Sequence, residues 1–425
     1  MTIEQANLYF KTLPEGFAQP EQLSELMTGA AQKTTYVGVA GTAGKTAAAG
    51  MLACMLHAAG YKTGFYHAGC ENLSARILID GKPVDEQLFA QAAQTLAAKP
   101  VLPVAAGELA AAAMCFGESG CTLAVIELPD AGLAAALPNM PVCAVTAVGM
   151  DGVSTSVERL AALSAGVMRS GTVCVTAPEQ PKAVISELVV AAGKCGCELA
   201  VPDAEDISFL EAEKFASKID YGGYTAVLEF LGRHAAGNAA VAVEMALALS
   251  RKGFDVSDEA IMAGMEAFKN RSSIRVLSQR PLVILDSCRT PQQACALLRV
   301  LNMAKVRHMS VIVGLCEEEG AEEFFAALEN GMTAEEQQKD KDSMPGMVEN
   351  PFDKLYLVTP KGVDAALTER LFEKARFHFD AELCDSVEQA VETAKVNTRR
   401  GLLVCGSEAV AIEAESLLIK LAQGV

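Results

Sequence analysis

The strongest constraint on this chain is a junction near its start, where a short apolar run meets a glycine-rich turn and then a helix. Residues 36–40 read as a buried strand, Gly41-Thr42-Ala43-Gly44-Lys45-Thr46 follows at once, and residues 47–59 read as a helix ending before Gly60. In such an arrangement the N–H groups of the turn point inward and the helix N-terminus adds partial positive charge, which suits a phosphate. Gly41 and Gly44 permit the backbone angles of the turn, Lys45 has the length to reach terminal phosphates, and Thr46 offers a hydroxyl to Mg²⁺. The strict spacing G-x-x-x-x-G-K-T would need glycine where the chain has Val39, and Gly38 comes one position early. Two readings stand side by side: a nucleotide loop of non-standard spacing, and a plain strand-to-helix turn with a surface lysine. The order strand, loop, Lys-Thr, helix favours the first.

The alternation of strand and helix continues downstream. Residues 123–127, 142–147 and 173–176 read as buried strands, with helical patterns at 157–168 and 182–192 between or after them. Near-continuous apolar strands suit a parallel sheet covered on both faces, so the expected fold class is α/β, with a P-loop-type doubly wound parallel sheet. Tyr221-Gly222-Gly223-Tyr224 and the run to Phe230 look like a hairpin arm at the edge of that sheet, followed by helices at 234–250 and 257–269. The polar stretch Asn270-Arg271-Ser272-Ser273 marks the expected division, with one domain over 1–272 and another over 273–425. Strand patterns at 282–285, 310–313, 355–358 and 402–404 alternate with helical ones at 292–303 and 365–376, which predicts a smaller, Rossmann-like α/β domain. Residues 317–350 are rich in charge and are expected to form a solvated loop.

Composition narrows the function classes. The chain has 425 residues, 51% of them hydrophobic, and 35 Lys and Arg stand against 53 Asp and Glu for a formal charge of −18. That balance argues against non-specific nucleic-acid binding but allows a small anionic substrate in one focused basic pocket. No cationic start followed by an apolar stretch is present, and no run of about 18 apolar residues. A membrane partner is therefore not expected; a cytoplasmic setting and a monomer or weak oligomer are. The 13 cysteines are scattered, and Cys195-Gly196-Cys197 lacks zinc-site spacing, so reduced structural thiols are expected.

The string G-T-x-G-K-T resembles the nucleotide loop of the Mur ligase superfamily, and further segments resemble one branch of it, the folylpolyglutamate and dihydrofolate synthases. Those segments are residues 2–13 with 26–39, Val145-Thr146-Ala147-Val148-Gly149-Met150-Asp151, Leu231-Gly232-Arg233-His234-Ala235-Ala236-Gly237-Asn238-Ala239, and Arg280-Pro281-Leu282-Val283-Ile284-Leu285-Asp286 with Pro291. The resemblance implies an ATP-dependent ligase in which a folate-type carboxylate becomes an acyl phosphate that the amine of glutamate then attacks. It implies ATP at Gly41, Thr42, Gly44, Lys45 and Thr46, Asn238 near the adenine, Asp286 near the ribose, and Mg²⁺ on Thr46 and Glu127. Lys45, Glu127 and Arg289 are the candidate catalytic residues.

Several positions depart from the family pattern. Ala43 stands for asparagine in the loop, Thr46-Ala47 for Gly-Ser, Ala68 for a metal-binding serine, Gly152 for a metal-binding histidine, and Ser164 for a carbon dioxide-modified lysine. The D-G-A-H-N-P motif reads Asp286-Ser287-Cys288-Arg289-Thr290-Pro291. Arg289 is open to two readings, a replacement phosphate-binding cation and a solvated loop residue. Asp151 reads equally as a metal ligand and as a helix cap, while His67, Cys70 and His234 read as bland. Either Arg271 or Arg275 answers to the family's G-R-F-E arginine. Two functions therefore compete: the ligase, and a catalytically impaired nucleotide-binding relative with a regulatory or partner role.

Overall fold

The computed structural model describes residues 1–17, 20–69, 72–149, 156–213, 216–228, 233–269, 274–331, 349–397 and 401–422. They fall into two compact units. One comprises Met1–Ala212, Ser217–Leu228 and Arg233–Lys269; the other is built on the chain beyond Lys269.

The first unit is organised by eight strands: β1 (Thr35–Ala40), β2 (Thr63–Tyr66), β3 (Ile77–Ile79), β4 (Lys82–Pro83), β5 (Leu123–Glu127), β6 (Val142–Val145), β7 (Val173–Thr176) and β8 (Glu198–Ala200). They form one sheet in the order β4-β3-β2-β5-β1-β6-β7-β8. The six strands from β2 to β8 in that order run parallel, and β3 and β4 add an antiparallel edge. Every residue of β1, β2, β5, β6 and β7 is buried, as their unbroken apolar runs require when helices cover both faces. The chain winds to either side of β1, so the carboxyl end of β1 lies at the switch point where such sheets bind ligands.

The helix that follows β1, Lys45–Ala58, is apolar on nearly all sides and buried accordingly. Helix Asp258–Ala267 reaches it through Gly264, where a Cβ would fall 2.3 Å from the backbone of Met55. β6 stops at Val145, two residues short of the expected strand, because Thr146 and Ala147 turn their backbone toward the glycine loop. The helix expected at 157–168 is Val157–Ser164 capped by Ser156, and it tightens to a 3₁₀ turn over Ala165–Val167.

The hairpin arm is not an edge of the large sheet. β9 (Ile207–Glu213), β10 (Ala216–Tyr221) and β11 (Tyr224–Leu228) make a separate three-stranded sheet in the order β11-β10-β9. Its anchorage explains the separation. Tyr221 donates to Glu244 Oε1 at 2.8 Å and Tyr224 to Asp258 Oδ1 at 2.9 Å, which ties it to the helices that follow.

The second unit contains β12 (Arg275–Gln279), β13 (Leu282–Leu285), β14 (Met309–Val313), β15 (Phe352–Val358), β16 (Ala381–Cys384) and β17 (Gly401–Cys405). Their order is β12-β13-β17-β14-β15-β16, parallel except for β12. Helices Pro291–Met303, Ala321–Asn330 and Ala365–Ala375 pack on one face, and Val387–Asn397 and Glu408–Ala422 on the other.

The solvated loop expected over 317–350 is corrected in its first part. Ala321–Asn330 is a helix whose Ala321, Phe324, Phe325 and Leu328 are buried. These apolar positions recur at helical spacing, and the surrounding glutamates conceal them in a reading based on charge. Residues 332–348 of that stretch lie outside the described residues.

Candidate functional site

Gly44 has φ +84°, in the left-handed region, and ends the turn directly before Lys45–Ala58. Gly41 has φ +124°, and a Cβ there would meet Thr146 Oγ1 at 2.4 Å. Both glycines are therefore demanded by the backbone and its neighbours.

The front of the loop is tied down by one carbonyl. Ala147 O accepts from Thr42 N and Ala43 N, each at 3.1 Å, and from Thr42 Oγ1 at 3.0 Å. Thr42 Oγ1 accepts in turn from Gly149 N at 2.9 Å. The amides of Thr42 and Ala43 are thus already engaged. The first-turn N–H groups at Lys45, Thr46 and Ala47 have no intrahelical acceptor, and these remain to face an anion.

The chemistry gathers at the carboxyl end of β5. Glu127 is 5% exposed and stands beside Val39 in the parallel register. Thr46 Oγ1 donates to Glu127 Oε2 at 2.8 Å, and Ala68 N donates to the same oxygen at 3.3 Å. Lys45 Nζ lies 4.0 Å from Glu127 Oε1 and donates to Gly41 O at 3.0 Å, so the ammonium folds back over the turn. The fold thus brings Lys45, Thr46 and Glu127 together. Asn238, on helix Arg233–Arg251, joins them at close range: a Cβ on Gly44 would fall 2.2 Å from its Oδ1.

The remaining candidates lie in the second unit or apart. Asp286 follows β13, is 7% exposed, and accepts from Cys288 N at 2.7 Å. Burial raises its carboxyl from 3.8 to about 6, with the hydrogen bonds from Cys288 opposing that rise. Arg289 is exposed. Thr290 caps helix Pro291–Met303 in a reciprocal capping box with Gln293. Arg275 pairs with Glu415 at 2.5 Å within the second unit. His234 is exposed in the first turn of its helix, and His67 Nδ1 lies 3.0 Å from Ala68 O. Cys70, Asp151, Gly152 and Arg271 lie outside the described residues. Cys115 and Cys121 are pushed up to about 12, chiefly by burial, and such thiols stay protonated and inert at neutral pH.

Three features of the site carry no signal of residue type. The carbonyl of Ala147 and the N–H of Ala68 are backbone groups, which any residue would supply. The third is a half-buried cluster beside Tyr66, in which Glu108 accepts from the Tyr66 hydroxyl at 2.7 Å and pairs through both its oxygens with Arg76. Its members come from β2, the short helix Leu73–Arg76 and helix Val104–Glu118, so no local pattern announces it.

The donor set suits a magnesium ion. Adjacent oxygens of an octahedron with metal–oxygen distances of about 2.0–2.1 Å lie roughly 2.9 Å apart. Thr46 Oγ1 and Glu127 Oε2 are 2.8 Å apart. One carboxylate and one hydroxyl are also the share a protein gives Mg²⁺ when phosphates and waters supply the rest. Among the described residues no group of three or more His, Cys, Asp or Glu gathers to hold a metal without such help.

Loop and sheets together define a two-unit α/β protein with a glycine-bearing strand-to-helix loop at the switch point of its larger sheet. No protein-family profile matches the chain. A curated relative, the folylpolyglutamate synthase of Lacticaseibacillus casei, is 24% identical over 385 residues, covering 85% of this chain and 84% of the relative. Among solved structures, Mycobacterium tuberculosis folylpolyglutamate synthase complexed with ADP matches with a TM-score of 0.80 at 20% identity, covering 98% of both chains. E. coli FolC in complex with DHPP and ADP matches with a TM-score of 0.79 at 20% identity, again covering 98% of each. The chain therefore has the fold of the folylpolyglutamate synthases and resembles one of them in sequence.

Proposed function

We propose that the chain is an ATP-dependent amide ligase of the folylpolyglutamate synthase type, adding glutamate to a folate-type carboxylate through an acyl phosphate. The observation that carries this reading is the 2.8 Å contact of Thr46 with Glu127 at the foot of a phosphate loop. In this reading residues 1–272 bind ATP and residues 273–425 form the C-terminal part of the enzyme. The N–H groups at the start of helix Lys45–Ala58 hold the phosphate oxygens, and Lys45 exchanges Gly41 O for a terminal phosphate. Asn238 lies toward the adenine. Asp286 is assigned to the ribose and Arg289 to the transferring phosphoryl group.

Thr46 and Glu127 would hold Mg²⁺, which when bound neutralises phosphate charge. The carboxylate oxygen of the folate-type substrate attacks the γ-phosphorus and ADP leaves. The glutamate nitrogen then attacks the acyl carbon, phosphate leaves, and the amine gives up a proton. The residues of this chain position and stabilise charge rather than form covalent bonds. Ser164, buried and short, has no group to replace the family's modified lysine. Loss of one such stabilising group slows a step by roughly 10²–10³, so slow turnover is expected.

The test is ADP release with ATP, Mg²⁺, glutamate and a reduced folate. Folate-dependent release, reduced by about 10²–10³ in Glu127→Gln, supports the ligase. ATP binding without folate-dependent release would refute it and leave the nucleotide-binding relative.

A further inference from the structure

We propose that Gln180 is a positioning residue for the nucleotide loop, acting through residues 146–149 onto Thr42. The proposal rests on the nucleotide reading of the loop and adds to it the device that holds the loop in shape.

The carboxamide of Gln180 spans the peptide on both sides of Ala147. Its Nε2 donates to Thr146 O at 2.8 Å, and its Oε1 accepts from Val148 N at 3.0 Å. Nε2 also donates to Thr176 Oγ1 at 3.1 Å, and that hydroxyl donates onward to Val145 O at 3.1 Å. A single side chain thus fixes a backbone acceptor and a backbone donor two residues apart, together with the end of β7. Only a carboxamide offers acceptor and donors in one plane: a carboxylate lacks the donors, and an aliphatic chain lacks both.

The peptide held in this way is the one that holds the loop. Between the two groups clamped by Gln180 lies Ala147, whose carbonyl takes both the Thr42 and Ala43 amides and the Thr42 hydroxyl. Gly149 N, next along, donates to Thr42 Oγ1. Thr146 closes the other end, with its N and Oγ1 both bonded to Ala40 O at 2.9 and 3.0 Å. If Ala147 rotates, all three loop contacts go with it. Gln180 itself follows β7 and precedes helix Lys182–Cys195, with Pro178 and Pro181 stiffening its backbone. Among the described residues its hydrogen bonds go to Thr146, Val148 and Thr176 and not to the loop, so its hold on the loop runs through residues 146–149.

The test combines nucleotide binding with hydrogen exchange in the full chain. In titrations with MgADP, Gln180→Leu and Thr42→Val should each raise Kd about tenfold, and the double variant should stay near tenfold instead of reaching about a hundredfold. Gln180→Glu, which keeps only the acceptor, should resemble Gln180→Leu and serves if the latter fails to fold. Without nucleotide, amides at Thr42, Ala43 and Gly149 should exchange faster in either Gln180 variant, with β5 unchanged. A Gln180 that serves stability alone would lower the melting temperature and leave both Kd and loop exchange at wild-type values; that result overturns the proposal, as does full additivity. If the wild-type chain fails to bind MgADP, the nucleotide reading falls, and unchanged loop exchange would separately overturn the clamp.

Discussion

Gly44→Ala places two separable strains on the loop. The first is local: Gly44 has φ +84°, and a Cβ in the left-handed region costs about 1–2 kcal/mol. The second is a collision, because that Cβ would lie 2.2 Å from Asn238 Oδ1, well inside van der Waals contact. Asn238 is only 9% exposed, so its amide has little room to turn away, and overpacking of this kind costs about 1–3 kcal/mol. Together they predict a loss of about 2–5 kcal/mol in the first unit. The two parts come apart when Asn238→Ala supplies the background: the collision vanishes, and Gly44→Ala then costs about 1–2 kcal/mol. Urea unfolding followed by circular dichroism gives the four stabilities of this cycle, and MgADP titration reports whether the surviving loop still binds. A Gly44→Ala deficit that is the same with and without the Asn238 side chain would refute the close approach. A wild-type unfolding midpoint in Gly44→Ala would refute the backbone argument as well.

Two further outcomes follow from the buried carboxylate Asp286 and from Glu108, the partner of buried Arg76. Because burial raises Asp286 from 3.8 to about 6, the folded protein keeps this proton to higher pH than the unfolded chain does. The second unit should therefore lose up to about 3 kcal/mol as pH rises through this window and then level off. Asp286→Asn keeps an acceptor for Cys288 N and should abolish that slope; an unchanged pH profile would sink the argument. Glu108→Ala removes the carboxylate partner of Arg76, whose side chain is 7% exposed. It should cost about 3–5 kcal/mol in thermal or urea unfolding, and a loss under about 1 kcal/mol would mean the pair is not buried as described.

What the sequence discloses depends on whether a feature is local. β1, its loop and helix Lys45–Ala58 are contiguous, and their order is legible from glycines and apolar runs alone. β5, β6 and β7 are equally plain, since strands buried on both faces are apolar throughout. The contact between Thr46 and Glu127 joins residues far apart in the chain and is reached only through the family resemblance. Helix Ala321–Asn330 is obscured because Glu322, Glu323 and Glu329 dominate its composition, though Phe324, Phe325 and Leu328 hold the helical period. The hairpin at Tyr221–Tyr224 is legible as a hairpin, but its sheet is not, since tyrosine hydroxyls reaching helix carboxylates decide that. Gln180 gives no sign at all: a glutamine before a proline is ordinary, and its weight lies in three partners that only the fold assembles.

The bond from Ala68 N to Glu127 has a bearing on which substitutions the site can take. A contact made by the main chain passes unaltered through changes of side chain. The side chain at position 68 can therefore change while the Glu127 carboxylate keeps this bond. A serine at position 68 would add a hydroxyl beside the carboxylate and leave that main-chain bond in place.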